Sequence, residues 1–185
     1  MKEVKKLNQG FLVFEMNRMH VTDAKEALKE ILDLEAACFP KSWQYADAEE
    51  YYAARLLDDR SIHLFLREGR ESIGYLLARP LQDAYGELSL YDAELENDEG
   101  CCYLETIGIR PEYSGRGGGS LLLRKLSTVV QQRTRYERIS SHVRIKTGLD
   151  RLIEKSFPYS LMKKRDIAHW HFGGDEPYRY LKWTV

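Results

Sequence analysis

The stretch "IRPEYSGRGGGSLLLRKL", Ile109 to Leu126, places four glycines within five residues, at 115, 117, 118 and 119. The strand-like run "CCYLETIGI" precedes them. "SLLLRKLSTVVQQR" follows, with Leu122, Leu126, Val129 and Val130 on one helical face. Glycines wedged between a buried strand and an amphipathic helix do not form a linker between domains. The first turn of a helix leaves backbone N–H groups without partners, and its dipole adds partial positive charge. Glycine lets that backbone adopt positive φ and approach an anion closely, so the segment suits a phosphate or pyrophosphate.

Spacing narrows the choice of ligand. A Walker A loop needs Gly-x-x-x-x-Gly-Lys-Ser/Thr, but Gly115 is followed five residues later by Ser120 and no lysine lies in the loop. The dinucleotide fingerprint Gly-x-Gly-x-x-Gly also fails. Counted from Gly115 or Gly117, its third glycine falls on Ser120 or Leu122.

A third pattern remains. "YLETIGIRPEYSGRGGGSLLLRKL" resembles the acetyl-CoA motif of the GNAT N-acetyltransferase superfamily: a strand, x-Pro-x-x, then Arg/Gln-x-x-Gly-x-Gly/Ala opening a helix. The resemblance covers about residues 11–185 and is strongest over 102–126. Two positions depart from the motif. Ser114 stands where arginine or glutamine is usual, and Gly118 where an apolar residue is usual.

The order of elements agrees with the resemblance. "FLVFEM" predicts a strand. "TDAKEALKEILDLEAACF" predicts a helix with Thr22 at its N-cap, and "YADAEEYYAARLLDD" a second helix. "SIHLFLREGRESIGYLLARP" predicts a hairpin turning at Glu-Gly-Arg-Glu. A short strand is expected at "ELSLY", inside residues 83–100, which carry seven acidic residues and no basic one. "RISSHVRI" predicts a strand, "TGLDRLIEKSF" a helix, and the tail two strands around Gly-Gly-Asp-Glu. The expectation is a short N-terminal extension, residues 1–10, then one α/β domain over 11–185. That domain is GNAT-like, with a mixed central sheet of about six to seven strands flanked by about four helices.

Composition bears on partners and compartment. Twenty-eight basic and 29 acidic residues leave a net charge of −1, which argues against nucleic-acid binding. No run of about 18 apolar residues exists, so no membrane span is expected. Three cysteines, Cys38, Cys101 and Cys102, make no disulfide framework and point to a reducing, cytoplasmic setting. His169 and His171 share a strand face by alternation, but without a further ligand the pair does not define a metal site.

The resemblance implies acetyl transfer from acetyl-CoA, as cosubstrate and without a metal, to a primary amine of a small molecule or peptide. That acceptor is cationic if the acidic stretch 83–100 steers it. The implied cofactor contacts are the main chain of Ile107, Gly108 and Ile109 for pantetheine, and Ser114, Gly115, Arg116, Gly117, Gly118, Gly119 and Ser120 for the pyrophosphate. An amine arrives protonated, so a base is required. Glu105 on the motif strand is the first candidate and His142 in "SSHVRI" the second. The position of the family's acidic tyrosine falls on Glu154, so the proton for the leaving thiolate is expected from Tyr159, just beyond that helix, or from solvent. A non-catalytic acyl-CoA-binding or interaction module with a degenerate site is the alternative. The chain would work as a monomer, or as a homodimer extended through its final strands.

Overall fold

A computed structural model describes residues 10–16, 21–132, 136–170 and 176–185. Seven strands form one sheet: β1 (Phe11–Met16), β2 (Ile62–Glu68), β3 (Glu71–Pro80), β4 (Cys101–Ile109), β5 (Arg138–Arg144), β6 (Leu161–Trp170) and β7 (Glu176–Thr184). Their order is β1-β2-β3-β4-β5-β7-β6. Every pairing is antiparallel except β4 with β5. Five helices accompany them: α1 (Val21–Cys38), α2 (Ala48–Leu57), α3 (Leu81–Leu88), α4 (Gly118–Gln132) and α5 (Leu149–Ser156). α1 opens at Val21, so Thr22 falls inside its first turn rather than ahead of it.

The sheet is covered on both faces, which explains why nine consecutive residues of β3, Ser72 to Pro80, are buried. Leu122, Leu126, Val129 and Val130 of α4 and Ile153 of α5 pack on Leu64, Leu66, Leu76 and Leu104. On the opposite face Ala27, Ile31 and Leu34 of α1 and Tyr52 and Leu56 of α2 cover Phe65, Tyr75 and Leu77. α3 caps a third cluster with Tyr103, Trp170, Tyr178 and Tyr180. Alternation along β4 therefore sends Cys102 and Leu104 toward α4, and Cys101 and Tyr103 the other way.

Residues 81–91 differ from the expected short strand at "ELSLY". Leu81, Ala84 and Leu88 are the buried positions, spaced three and four apart, so the period is helical and α3 ends where the strand was expected to begin. α3 is also the helix beyond the four expected. Three of the acidic residues of this stretch are tied to basic side chains from elsewhere in the chain. Asp83 pairs with Arg60 at 2.7 Å, Asp92 with Arg165 at 2.5 Å, and Asp98 with Arg138 at 2.7 Å and Lys182 at 2.8 Å. The hydrogen bonds from Arg138 are the main reason that Asp98 is held well below the usual carboxylate range.

The extra glycine of the loop also has a packing reason. A Cβ at Gly118 would lie 2.6 Å from Leu66 Cδ2, a fully buried side chain of β2. Glycine lets the first turn of α4 sit directly on the sheet, where a larger residue would overpack. Gly118→Val is expected to cost about 1–3 kcal/mol in urea unfolding, the usual penalty for overpacking a core; an unchanged midpoint would show that Leu66 moves aside freely.

Candidate active site

β4 and β5 run parallel and pair only over Cys101–Tyr103 with Arg138–Ser140. Beyond that the two strands part. The Ser141 hydroxyl donates to the Leu104 carbonyl at 2.8 Å, bridging the strands at the point of divergence. From there to Ile109 the β4 edge facing β5 has no strand partner. A cavity of about 460 Å³ fills the gap. Ser114 and Gly119 line it, as do Ile107, Gly108 and Ile109, and Tyr103, Glu105 and His142 lie farther along the strands.

The β3–β4 ladder slips by one residue here: Thr106 faces Leu77 while Leu104 faces Ala78, leaving Glu105 as the extra residue of a β-bulge. A bulge re-aims its side chain. The Glu105 carboxylate turns into the space beneath α2, where its Oε1 accepts from Arg79 at 2.7 Å and from the Tyr51 hydroxyl. Both side chains of the Arg79–Glu105 pair are nearly inaccessible, at 3% and 5% exposed. Glu105 Oε2 is buried and has no hydrogen-bond partner among the described residues.

Two residues back on β4, Tyr103 begins a second array. Its hydroxyl lies 3.2 Å from His142 Nδ1 on β5, and His142 Nε2 lies 3.0 Å from Asp92 Oδ2. Burial pushes the Asp92 carboxyl up, but hydrogen bonds from His142 and Arg165 outweigh it and bring the pKa down to about 2. Asp92 is therefore an acceptor only, so His142 Nε2 carries a proton. Burial holds the imidazole below its ordinary pKa of 6.5 against the opposing pull of Asp92, so the ring is neutral and Nδ1 is an acceptor. Tyr103 consequently donates to His142, leaving the Tyr103 oxygen free to accept from the cavity. Burial also keeps the Tyr103 phenol protonated.

The loop is built as its glycines require. Gly115 has φ of 74° and Gly117 of 89°, and α4 opens at Gly118. Within it Arg116 points away from the cavity. Its guanidinium meets Glu68 Oε1 at 2.5 Å and lies over the Phe11 and Tyr113 rings. Tyr159 is fully exposed and does not line the cavity, so the expected acid is not brought to the site. Glu154 pairs with Lys164 at 2.7 Å and lies outside it as well.

Sequence reasoning missed Tyr103, Asp92, Arg79 and Tyr51. Tyr103 was within reach, because strand alternation puts it on the Glu105 face. Asp92 was hidden in the acidic stretch 83–100, whose charges gave no sign of their partners. No group of three His, Cys, Asp or Glu residues among those described could hold a metal. His171 and the Gly-Gly-Asp turn lie outside the described residues, as does the side chain of His169. None of the three cysteines is in a disulfide, and Cys101 and Cys102 are buried. Among the described residues no helix is long and apolar enough to cross a membrane.

Solved structures share the fold. A GNAT-family acetyltransferase from Streptococcus pneumoniae superposes with a TM-score of 0.64 at 14% identity, covering 95% of this chain and 99% of that one. A spermidine N-acetyltransferase chimera from Vibrio cholerae and hSSAT gives 0.65 at 14% identity, over 95% and 96% of the two chains. NAA60 from Arabidopsis thaliana, in complex with acetyl-CoA, gives 0.64 at 15% identity, over 95% and 98%. At these identities the likeness carries the fold alone. No curated protein matches the sequence. The Acetyltransferase (GNAT) family matches residues 28–156, more than half of the protein. With the parted strands, the bulge and the glycine loop all in place around one cavity, this chain belongs to the GNAT acetyltransferase family.

Proposed function

We propose that this protein moves an acetyl group from acetyl-CoA to a primary amine by direct attack of the amine on the thioester. The parting of β4 from β5 carries the reading. It leaves the main chain of Ile107–Ile109 unpaired on one edge, in the same cavity as Gly119 and His142. An extended pantetheine arm pairs with such an edge as an added strand would. The N–H groups from Gly115 to Ser120 receive the pyrophosphate at the helix N-terminus, and Ser114 stands beside them at the cavity wall. Arg116 contributes its main-chain N–H, because Glu68 and two rings hold its guanidinium elsewhere. When bound, acetyl-CoA supplies an activated acyl carbon and a thiol leaving group.

The protein's own residues handle the proton. The unpartnered Glu105 Oε2 meets the arriving ammonium and orients it. Tyr103 accepts the proton and passes its own to His142 Nδ1, and Asp92 stabilises the imidazolium that results. The thiolate takes its proton from solvent, since no tyrosine of α5 or of the turn after it reaches the cavity. The buried thiols outside any disulfide support a reducing compartment, the cytoplasm.

Thermal shift with acetyl-CoA against ATP, followed by release of CoA thiol over a panel of amines, tests the reading. Stabilisation by ATP and not by acetyl-CoA overturns it; acetyl-CoA binding without thiol release for any amine leaves a binding module. The rate should also follow His142. The ring must be neutral to accept, so kcat is expected to fall as pH drops through a value below 6.5. Folding stability falls in the same direction, because the unfolded ring takes its proton at higher pH than the folded one. An acid limb at or above 6.5 in the kcat profile would remove His142 from the relay.

A further inference from the structure

We infer that the acceptor subsite takes a monoamine carried on an apolar or aromatic group and selects against polyamines. The inference rests on the acetyl-transfer reading above and names the substrate class of the same cavity.

Beyond the proton acceptor the cavity wall is aromatic. Trp170, at the end of β6, stacks on His142 with centroids 4.5 Å apart. Tyr178 of β7 stacks on Trp170 at 5.1 Å, and Tyr91, from the segment after α3, tilts against it at 5.5 Å. All three line the cavity. Three elements thus contribute a platform that begins one ring away from the imidazole. An amine nitrogen held at Tyr103 has its carbon substituent directed along this platform.

Charge points the same way. A polyamine needs a free carboxylate for each further ammonium. Asp92 is engaged by His142 and Arg165, and Asp98 by Arg138 and Lys182. Glu105 is paired with Arg79 through Oε1 and meets the reacting ammonium through Oε2, which leaves it no oxygen for a second, and Glu87 lies 3.5 Å from the same guanidinium. Burial raises the Glu35 pKa, and its Oε1 accepts from the Tyr45 backbone. Arg144, which also lines the cavity, stacks on Trp43 at 4.4 Å and Tyr178 at 5.1 Å. A second ammonium therefore meets rings, guanidinium groups and carboxylates that already have partners, whereas an apolar group has the three rings of the platform to pack on.

The apolar amine has two sources, a free arylalkylamine or a peptide whose first residue is apolar. The test measures CoA thiol release from acetyl-CoA with phenethylamine, spermidine, and two short peptides opening with Phe or with Asp. kcat/KM for phenethylamine or the Phe peptide is expected to exceed that for spermidine by about 30-fold, the gain from burying one side chain of this size. The higher of those two values identifies the source. Tyr91→Ala, in a partly exposed segment, is expected to raise KM for the preferred amine about 10-fold, with the acetyl-CoA thermal shift unchanged. Spermidine turning over fastest, or an unchanged KM in Tyr91→Ala, overturns this inference and leaves the transfer reading standing. Absence of thiol release with every amine defeats the transfer reading, and this one with it.

Discussion

Tyr103→Phe is expected to lower kcat about 100-fold, the scale of a lost general acid–base group. The thermal shift with acetyl-CoA should stay at its wild-type value. The substitution deletes one oxygen and keeps the ring, so the packing against His142 survives. What disappears is the hydroxyl that links His142 Nδ1 to the cavity, its one polar partner there among the described residues. His142→Gln should cost a similar factor, and the double variant little more than either single change, because residues acting as a unit are not additive. Full activity in Tyr103→Phe would return the base role to Glu105, reached through its free Oε2.

The second large effect concerns stability. Arg79→Met is expected to destabilise the fold by about 3–5 kcal/mol, since it strands a buried carboxylate without its partner. In a chain of this size that lowers Tm by on the order of 10 °C. Arg79 also donates to the Asp83 carbonyl at 3.2 Å, so α3 loses a tie to β3 in the same variant. Glu105→Leu added to Arg79→Met should restore part of the loss, because the pair is then replaced by apolar groups of similar bulk. Activity should not return with it, since the Glu105 oxygens are gone. If Arg79→Met unfolds at the wild-type urea concentration, water reaches Glu105 and the pair is not a buried one.

The contrast between loop and relay shows what the sequence makes legible. The glycine loop could be read because its elements are contiguous: strand, turn and helix follow each other, and positive φ at Gly115 and Gly117 leaves a residue-type signature. The first candidate base was legible as a residue but not as an environment. Glu105 owes its position to a one-residue slip against β3, and its partner Arg79 lies 26 positions away. The relay is less legible still. His142 and Asp92 are 50 residues apart, joined only when the segment after α3 folds back over β5. The acidic stretch looked like a solvated or steering surface because its partners, Arg60, Arg138, Arg165 and Lys182, are scattered along the chain. Composition counts charges but does not pair them.

The divergence of β4 from β5 has a kinetic consequence. It leaves one cavity lined by Ser114 and Gly119 of the glycine loop and by the rings of Tyr91, Trp170 and Tyr178. On the acetyl-transfer reading proposed above, donor and acceptor occupy different stretches of this cavity, and neither must leave before the other arrives. Cys38 is the thiol on the cavity wall, and burial pushes its pKa up to about 11, so it stays protonated and a poor group to carry acetyl in between. On that reading the two substrates are expected to meet in a ternary complex, with the order of addition set by which of them builds the surface that the other completes.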